Sequence, residues 1–229
     1  MVSLHAHNER SRIPELLARL LSGEDLALVS DAGTPGISDP GMRLVREARQ
    51  SGIRVTPLPG PCAAVAALSV AGFPADRFRF EGFLPARQAA RRARLQQLEA
   101  IPETLVFYEA VHRLAAALQD MQEVFGGERH AFLARELTKI HESTHGDSLA
   151  ELSAAATAGR IVAKGEFTLV VGGCGAHDQD EEALDTALRP LLEELPTRQA
   201  ARLAASITGC SRRLAYRRAL ALIALNAKD

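Results

Sequence analysis

The stretch S-D-A-G-T-P-G-I-S-D-P-G, residues 30–41, decides how the chain reads. It follows a short apolar run at 26–29 and precedes a helix-like pattern at 42–51. Its three glycines, two prolines and two aspartates exclude helix and strand, because glycine removes backbone restriction and proline removes a backbone donor. What remains is a shaped loop at a strand end, the place where ligands bind in open α/β sheets. Gly33 and Gly36 let backbone groups approach a small molecule, while Thr34, Asp31 and Asp39 offer polar contacts. A long turn whose aspartates cap the next helix has the same composition. Neither G-x-G-x-x-G nor G-x-x-x-x-G-K-[ST] occurs, so this is no known phosphate loop.

Outward from that loop, residues 2–4 are apolar, 9–21 place Ile13, Leu16, Leu17, Leu20 and Leu21 at helical spacing, and 26–29 read as a buried strand. These make a β-α-β unit. A helix through Leu44, Val45 and Ala48 follows, then a strand at 54–58 and a second loop, Pro59-Gly60-Pro61. That loop opens a helix of small residues at 62–70, whose first N–H groups can meet a polar or anionic ligand group. Residues 73–85 concentrate four of the eight phenylalanines and read as the connection between two domains, with a strand over 78–81. The second half repeats the pattern: a basic helix at 89–100, a strand at 104–108, a helix at 112–125, strands at 131–135 and 140–145, a short helix at 149–158 and an apolar strand at 167–171. Strands alternating with helices imply a sheet covered on both faces.

An acidic linker begins at 176, and only helices follow, at 183–195, 197–208 and 211–226. Thr197 and Ser211 are suited to N-capping and Gly209 to a C-cap between them, as in a helix-turn-helix or an αα-hairpin. The expected organisation is therefore two α/β domains, 1–78 and 79–176, and a helical region, 177–229.

With 229 residues, 47% of them hydrophobic, the chain can bury substantial cores. No apolar run approaches the roughly 20 residues that a membrane helix needs. Cys62, Cys174 and Cys210 are isolated and lack C-x-x-C spacing, so no disulfide framework or zinc site is expected, and a reducing, cytoplasmic setting is. No H-x-x-x-H or carboxylate cluster argues for a metal. The net charge of −1 is segregated: 87–94 hold four arginines and 198–218 hold six, without an acid in either run. Each run can be a solvated helix face or a phosphate-binding surface.

The segments S-L-H-A-H-N-E (3–9), A-L-V-S-D-A-G-T-P-G-I-S-D-P-G (27–41), P-L-P-G-P-C-A-A (57–64), D-R-F-R-F-E-G-F-L-P (76–85), F-Y-E-A-V-H-R-L (107–114), A-R-E-L-T-K-I-H-E (134–142), G-E-F-T-L-V-V-G (165–172) and T-R-Q-A-A-R-L-A-A-S-I-T-G-C-S-R-R-L-A-Y (197–216) run in order over nearly the whole chain. Together they resemble the bacterial ribosomal RNA small subunit methyltransferase I family, within the tetrapyrrole methylase superfamily. The resemblance implies two α/β domains holding S-adenosylmethionine between them, a helical C-terminal extension, and methyl transfer to the ribose 2′-oxygen of a cytidine in small-subunit ribosomal RNA. It also implies about fifty further residues upstream, with a first strand and loop, so the chain reads as an N-terminally truncated version. Cys62 stands where the family has serine, which removes a strong hydroxyl donor.

By position in those segments, Gly33, Thr34, Ile37, Cys62, Ala63, Tyr108, Glu136, Leu137, Phe167 and Thr168 are expected around the cofactor. A ribose hydroxyl is a poor nucleophile at neutral pH, so a base or polarising contact is needed. Glu136 or Lys139 is the expected acid/base group and Arg135 a clamp, with Glu109 and His112 nearby. Internal Arg135–Glu109 and Lys139–Glu142 salt bridges are the structural alternative. Asn8 either orients nucleotide with His5 and His7 or caps the first helix. Arg87, Arg91, Arg92, Arg198, Arg212 and Arg213 are candidate phosphate contacts to ribosomal RNA or the 30S particle. A homodimer could complete the cleft. Two other readings keep parts of this picture, a tetrapyrrole methylase and a non-catalytic RNA-binding remnant.

Overall fold

The computed structural model describes residues 1–5, 7–174, 178–208 and 212–226, the backbone alone at 178–182, 212–214 and 224–226. The helices are α1 (Glu9–Leu21), α2 (Met42–Gln50), α3 (Ala63–Ala71), α4 (Gln88–Leu98), α5 (Leu114–Phe125), α6 (Leu149–Thr157), α7 (Asp178–Glu194), α8 (Thr197–Thr208) and α9 (Arg212–Asn226). The strands are β1 (Phe78–Phe83), β2 (Thr104–Ala110), β3 (His130–Arg135), β4 (Ser143–Ser148) and β5 (Glu166–Val171). Met1–Glu99 with Glu103–Gly172 form one compact unit, and Ala100–Pro102 with Gly173–Asp229 a second.

In the first unit one mixed sheet has the order β1-β2-β5-β3-β4. Only β1 and β2 are parallel, and β5, the last strand in sequence, inserts antiparallel between β2 and β3. The insertion follows from composition. Phe167–Val171 is apolar at almost every position, so it is stable only where both its faces are covered and both its edges paired. Val106, Phe132, Ala134 and Val170 face α3, which lays Ala64, Ala67 and Leu68 on them. Pleating turns Phe107, Leu133 and Leu169 the other way, toward the apolar faces of α5 and α6 carrying Leu118, Met121, Leu149 and Leu152. Burying Leu118 or Met121 contributes about 1.5–3 kcal/mol each. Gly72, left-handed at φ 76°, ends α3.

The segments read as strands at 2–4, 26–29 and 54–58 pair with no strand among the described residues. Apolar, β-branched composition fits a pleated surface, but a strand also needs a neighbour's N–H and C=O groups. Val29 stays 75% exposed and Leu58 85%. Val2, Leu4 and Leu26 instead join Ile13, Leu16 and Leu44 in a small core between α1 and α2. The strand expected at 140–145 lies at Ser143–Ser148, because 136–142 are taken up by successive turns. Asn8 does not cap α1 with its side chain; it accepts from the His5 N–H at 2.7 Å and donates to the Ser3 carbonyl at 3.0 Å. Ser148, not anticipated, caps α6 by accepting from the Glu151 N–H.

The second unit holds α7, α8 and α9 around Leu184, Leu188, Ala201, Ala204, Ala205, Ala215, Ala219 and Leu222. Alanines on α8 and α9 permit close approach of the backbones, and Arg218 fixes α9 to α7 through two hydrogen bonds to Asp185, at 2.6 and 2.8 Å. The expected caps Gly209 and Ser211 lie outside the described residues.

One buried charge cluster ties α4 to α5. The Asp120 carboxylate accepts from Arg91 at 2.7 Å, from Arg92 at 2.6 Å and from Gln88 at 3.1 Å. Burial pushes its acid strength down, but the hydrogen bonds from Arg92, Gln88 and Arg91 outweigh burial and hold the carboxyl below its usual range. A carboxyl depressed by folding contributes stability above its unfolded-state pKa and loses it as pH falls through the folded value. D120A is expected to lower unfolding free energy by about 3–5 kcal/mol at neutral pH, because Arg91 is left buried without its partner. Denaturant titrations will show that gap closing as pH falls through the folded pKa of Asp120.

Candidate active site

The pleat of β2, β5 and β3 fixes the site's floor. Tyr108 pairs with Phe83 on one side and Thr168 on the other, and Thr168 pairs onward with Ala134. One position along, Glu109, Phe167 and Arg135 form the next row. Tyr108 and Ala134 belong to the α3 face of the sheet, and pairing puts Thr168 with them. Two edge-to-face contacts, with Phe80 at 4.9 Å and Phe83 at 5.8 Å, hold the Tyr108 ring. Phe80 and Phe83 both reach it because β1 carries a bulge between Phe80 and Gly82.

Two loops meet this floor. Thr34 of the 30–41 loop donates its hydroxyl to the Pro61 carbonyl at 2.8 Å, and the Ala64 N–H donates to the Tyr108 hydroxyl at 3.2 Å. Burial pushes the Tyr108 phenol up to about 12, overriding the Ala64 hydrogen bond, so it stays protonated at neutral pH. Gly82, at φ 64°, passes beside Ser38, and a side chain there would stand 3.2 Å from the Ser38 hydroxyl. Glu9 anchors the loop's far end: its buried carboxylate accepts from the Gly41 N–H at 3.0 Å, at the start of α2. Glu9 was not among the expected site residues. Its signal in the sequence is an acid on the apolar stripe of α1, in step with Ile13 and Leu16.

A third loop, 136–142, closes the end of β3. Glu136 accepts from the Glu166 N–H at 2.8 Å and from the Lys139 ammonium at 3.0 Å, and Lys139 also reaches Glu166 at 2.9 Å. These hydrogen bonds, first the Glu166 N–H and then Lys139, hold the Glu136 carboxyl below its usual range. Hydrogen bonds to Glu166 and Glu136 raise Lys139, which is therefore charged at neutral pH. Gly165 lies so close to Glu136 that a side chain at 165 would collide with the carboxylate. Among the described residues, the non-glycine positions with positive φ are Ser38, Glu136 and Thr138. All three sit in these loops, and stored backbone strain of this kind collects at functional sites.

The structure thus brings Gly33, Thr34, Cys62, Ala63 and Tyr108 to one cluster, and places Glu136, Leu137, Phe167 and Thr168 at the neighbouring strand ends. Ile37 is exposed on the first loop. Arg135 is buried and donates to the carbonyls of Lys164 and His141, so its guanidinium braces the third loop from within. The Arg135–Glu109 bridge does not form because both residues flank Phe167, two strands and about 10 Å apart. Glu109 pairs instead with Arg113, four residues on. Lys139 bridges Glu136 and Glu166 rather than Glu142, whose carboxylate accepts from the Thr138 N–H.

Of the arginines, Arg91 is buried against Asp120 and Arg92 is held by Asp120 and Glu123, whereas Arg87, Arg198, Arg202 and Arg217 are exposed. The side chains of Arg212 and Arg213 lie outside the described residues. Among the described residues no three His, Cys, Asp or Glu side chains gather as a metal site, and no helix is long and apolar enough to cross a membrane. A polar hollow lined by Leu17, Arg46, Glu47, Gln50 and Ser51 contains none of these site residues.

Comparison with known proteins places the chain. A family profile described as Tetrapyrrole (Corrin/Porphyrin) Methylases matches residues 2–153, and one described as RsmI C-terminal HTH domain matches 178–223. Ribosomal RNA small subunit methyltransferase I of Pseudomonas aeruginosa is 52% identical over 223 residues, spanning 96% of this chain and 79% of that protein. The protein of the same name from Escherichia coli O157:H7 is 50% identical over 222 residues, 96% of this chain and 77% of that one. Among solved structures, the methyltransferase CobJ superposes with a TM-score of 0.53 at 20% identity, covering 72% of this chain and 71% of that one. A uroporphyrin-III C-methyl transferase from Thermus thermophilus, complexed with S-adenyl homocysteine, gives 0.50 at 16% identity, covering 72% and 73%. Those identities show the fold alone. The ordered motifs, the mixed sheet and these matches agree: the chain belongs to the ribosomal RNA small subunit methyltransferase I family, built on the tetrapyrrole methylase fold.

Proposed function

We propose that the chain transfers a methyl group from S-adenosylmethionine to the ribose 2′-oxygen of a cytidine in small-subunit ribosomal RNA. The observation that carries the cofactor reading is the meeting of the 30–41 and 59–64 loops over the Tyr108 row. Gly33, Gly36, Ala63 and Ala64 offer backbone rather than bulk, and Tyr108, Phe80 and Leu137 offer half-buried apolar surface. That mixture fits a flat base and a thioether chain, and it lacks the donor set of a metal site. When bound, S-adenosylmethionine supplies an electrophilic methyl on a sulfonium, so the protein's main task is alignment.

Glu136, a carboxylate on a positive-φ residue just past β3, takes the proposed role of accepting the ribose hydroxyl's proton. Lys139, held as an ammonium between Glu136 and Glu166, keeps the Glu136 carboxylate ionised. Arg135 holds the loop's shape. Arg87 and the exposed arginines of α8 and α9 are proposed phosphate contacts, positioning the RNA without reading its sequence.

A second reading, a non-catalytic RNA-binding remnant, is favoured by one observation: segments 26–29 and 54–58, which lead into the two loops, pair with no strand among the described residues. Calorimetric titration with S-adenosylmethionine decides between them. Saturable binding supports the enzyme, and its absence supports the remnant.

Two further outcomes follow. K139M is expected to move the acidic limb of the pH–rate profile to higher pH, since Glu136 loses a hydrogen bond that holds its carboxyl down; an unmoved limb would remove Glu136 from the chemistry. Replacing Arg87 or Arg198 by alanine should reduce the slope of log binding constant against log salt by about 0.7–0.9 each, measured by fluorescence anisotropy on small-subunit RNA.

A further inference from the structure

We infer that the hydroxyls of Thr34 and Tyr108 are positioning groups that hold the Pro59–Ala64 segment at two points, Pro61 and Ala64, rather than polar contacts to the cofactor; this rests on the cofactor reading above. Ala63 and Ala64 form the first turn of α3, but the residues ahead of them have few other means of holding their shape. Pro59 and Pro61 have no N–H to donate, and Gly60 has no side chain. Its outer strand-like lead-in, 54–58, has no ladder partner among the described residues, and Leu58 is exposed.

Thr34 takes the Pro61 carbonyl across 27 residues of sequence, and Tyr108 takes the Ala64 N–H across 44. Between the two lie Cys62 and Ala63. The two anchors differ in kind. The Tyr108 ring is fixed by Phe80 and Phe83 and by its place in the sheet, so Ala64 is referred to the rigid floor. Thr34 belongs to the 30–41 loop, which is itself held by Glu9 at Gly41 and passes Gly82 at Ser38. The first loop therefore sets one end of the second and the sheet sets the other, and a shift of either moves Cys62 and Ala63.

The Thr34 hydroxyl has spent its one donor on a carbonyl at 2.8 Å, and the Tyr108 hydroxyl accepts the Ala64 N–H from a ring held by two aromatic contacts. Both geometries favour holding over reading.

The test uses the whole chain and four forms: wild type, T34V, T34S and Y108F. Amide exchange at Gly60, Cys62, Ala63 and Ala64 reports the loop without any ligand, and calorimetry with S-adenosylmethionine reports the consequence. T34V and Y108F are expected to speed exchange in this loop, with protection elsewhere in the sheet retained, and to weaken binding about five- to tenfold. T34S keeps the hydroxyl and is expected to restore both readouts, which bulk effects of the substitution would not do. Unchanged exchange in T34V and Y108F overturns the clasp. Faster exchange with undiminished binding overturns the positioning role. Faster exchange in a chain whose wild type binds no S-adenosylmethionine leaves the clasp standing and overturns the cofactor reading instead.

Discussion

The insertion of β5 between β2 and β3 is the constraint on which the rest depends. Every residue from Phe167 to Val171 pairs on both sides, with β2 at one edge and β3 at the other. That double ladder sets Tyr108, Thr168 and Ala134 in one row and Glu109, Phe167 and Arg135 in the next. A slip by one residue would turn Tyr108 to the opposite face and take its hydroxyl away from Ala64. Because β5 pairs with a strand about sixty residues away in β2 and one about thirty-five away in β3, the loop-closure cost is met only when the apolar faces are covered. α3 covers one of those faces, and so the element that seals the core also carries the Pro59–Ala64 loop to the floor of the site.

The candidate site is held in successive layers. The sheet and its two aromatic rings are packed, the second loop is tied to them at Ala64, and the first loop is tied to the second at Pro61 and to α1 through Glu9. On the other side Glu136, Lys139 and Glu166 form a partly exposed charge network held over strained backbone. A methyl donor needs shape more than charge, whereas an RNA phosphate needs charge near the surface. The apolar, clasped side matches the first need, and exposed Arg87 is the proposed group for the second.

Much of this was legible in the sequence where one local rule decided the outcome. Helical spacing of Ile13, Leu16 and Leu17 located α1, and that of Leu114, Ala117, Leu118 and Met121 located α5. The unbroken apolar run at 167–171 located β5. What was not legible depended on partners distant in sequence. The runs at 2–4, 26–29 and 54–58 have strand composition, yet pairing is a property of a neighbour, and none is described beside them. Arg91 reads as one more member of a basic run, but helical phase turns it inward onto Asp120, and only the packing of α4 on α5 shows it. Thr34 and Tyr108 are expected by position at the cofactor, whereas what each one holds shows only in the distances to Pro61 and Ala64. Glu9 is not legible in the sequence, because an acid on an apolar stripe looks like a solvated helix end; its role shows only in the Gly41 N–H beside it.

The account turns on whether the clasped loops and the charged third loop act together on ribosomal RNA. The most direct measurement incubates the purified chain with tritium-labelled S-adenosylmethionine and small-subunit particles, then digests the RNA to nucleosides. The account predicts label in 2′-O-methylcytidine, lost in a Glu136→Gln variant that still binds the cofactor. Label in base-methylated nucleosides, or in a tetrapyrrole acceptor supplied alongside while the RNA stays unlabelled, would contradict it.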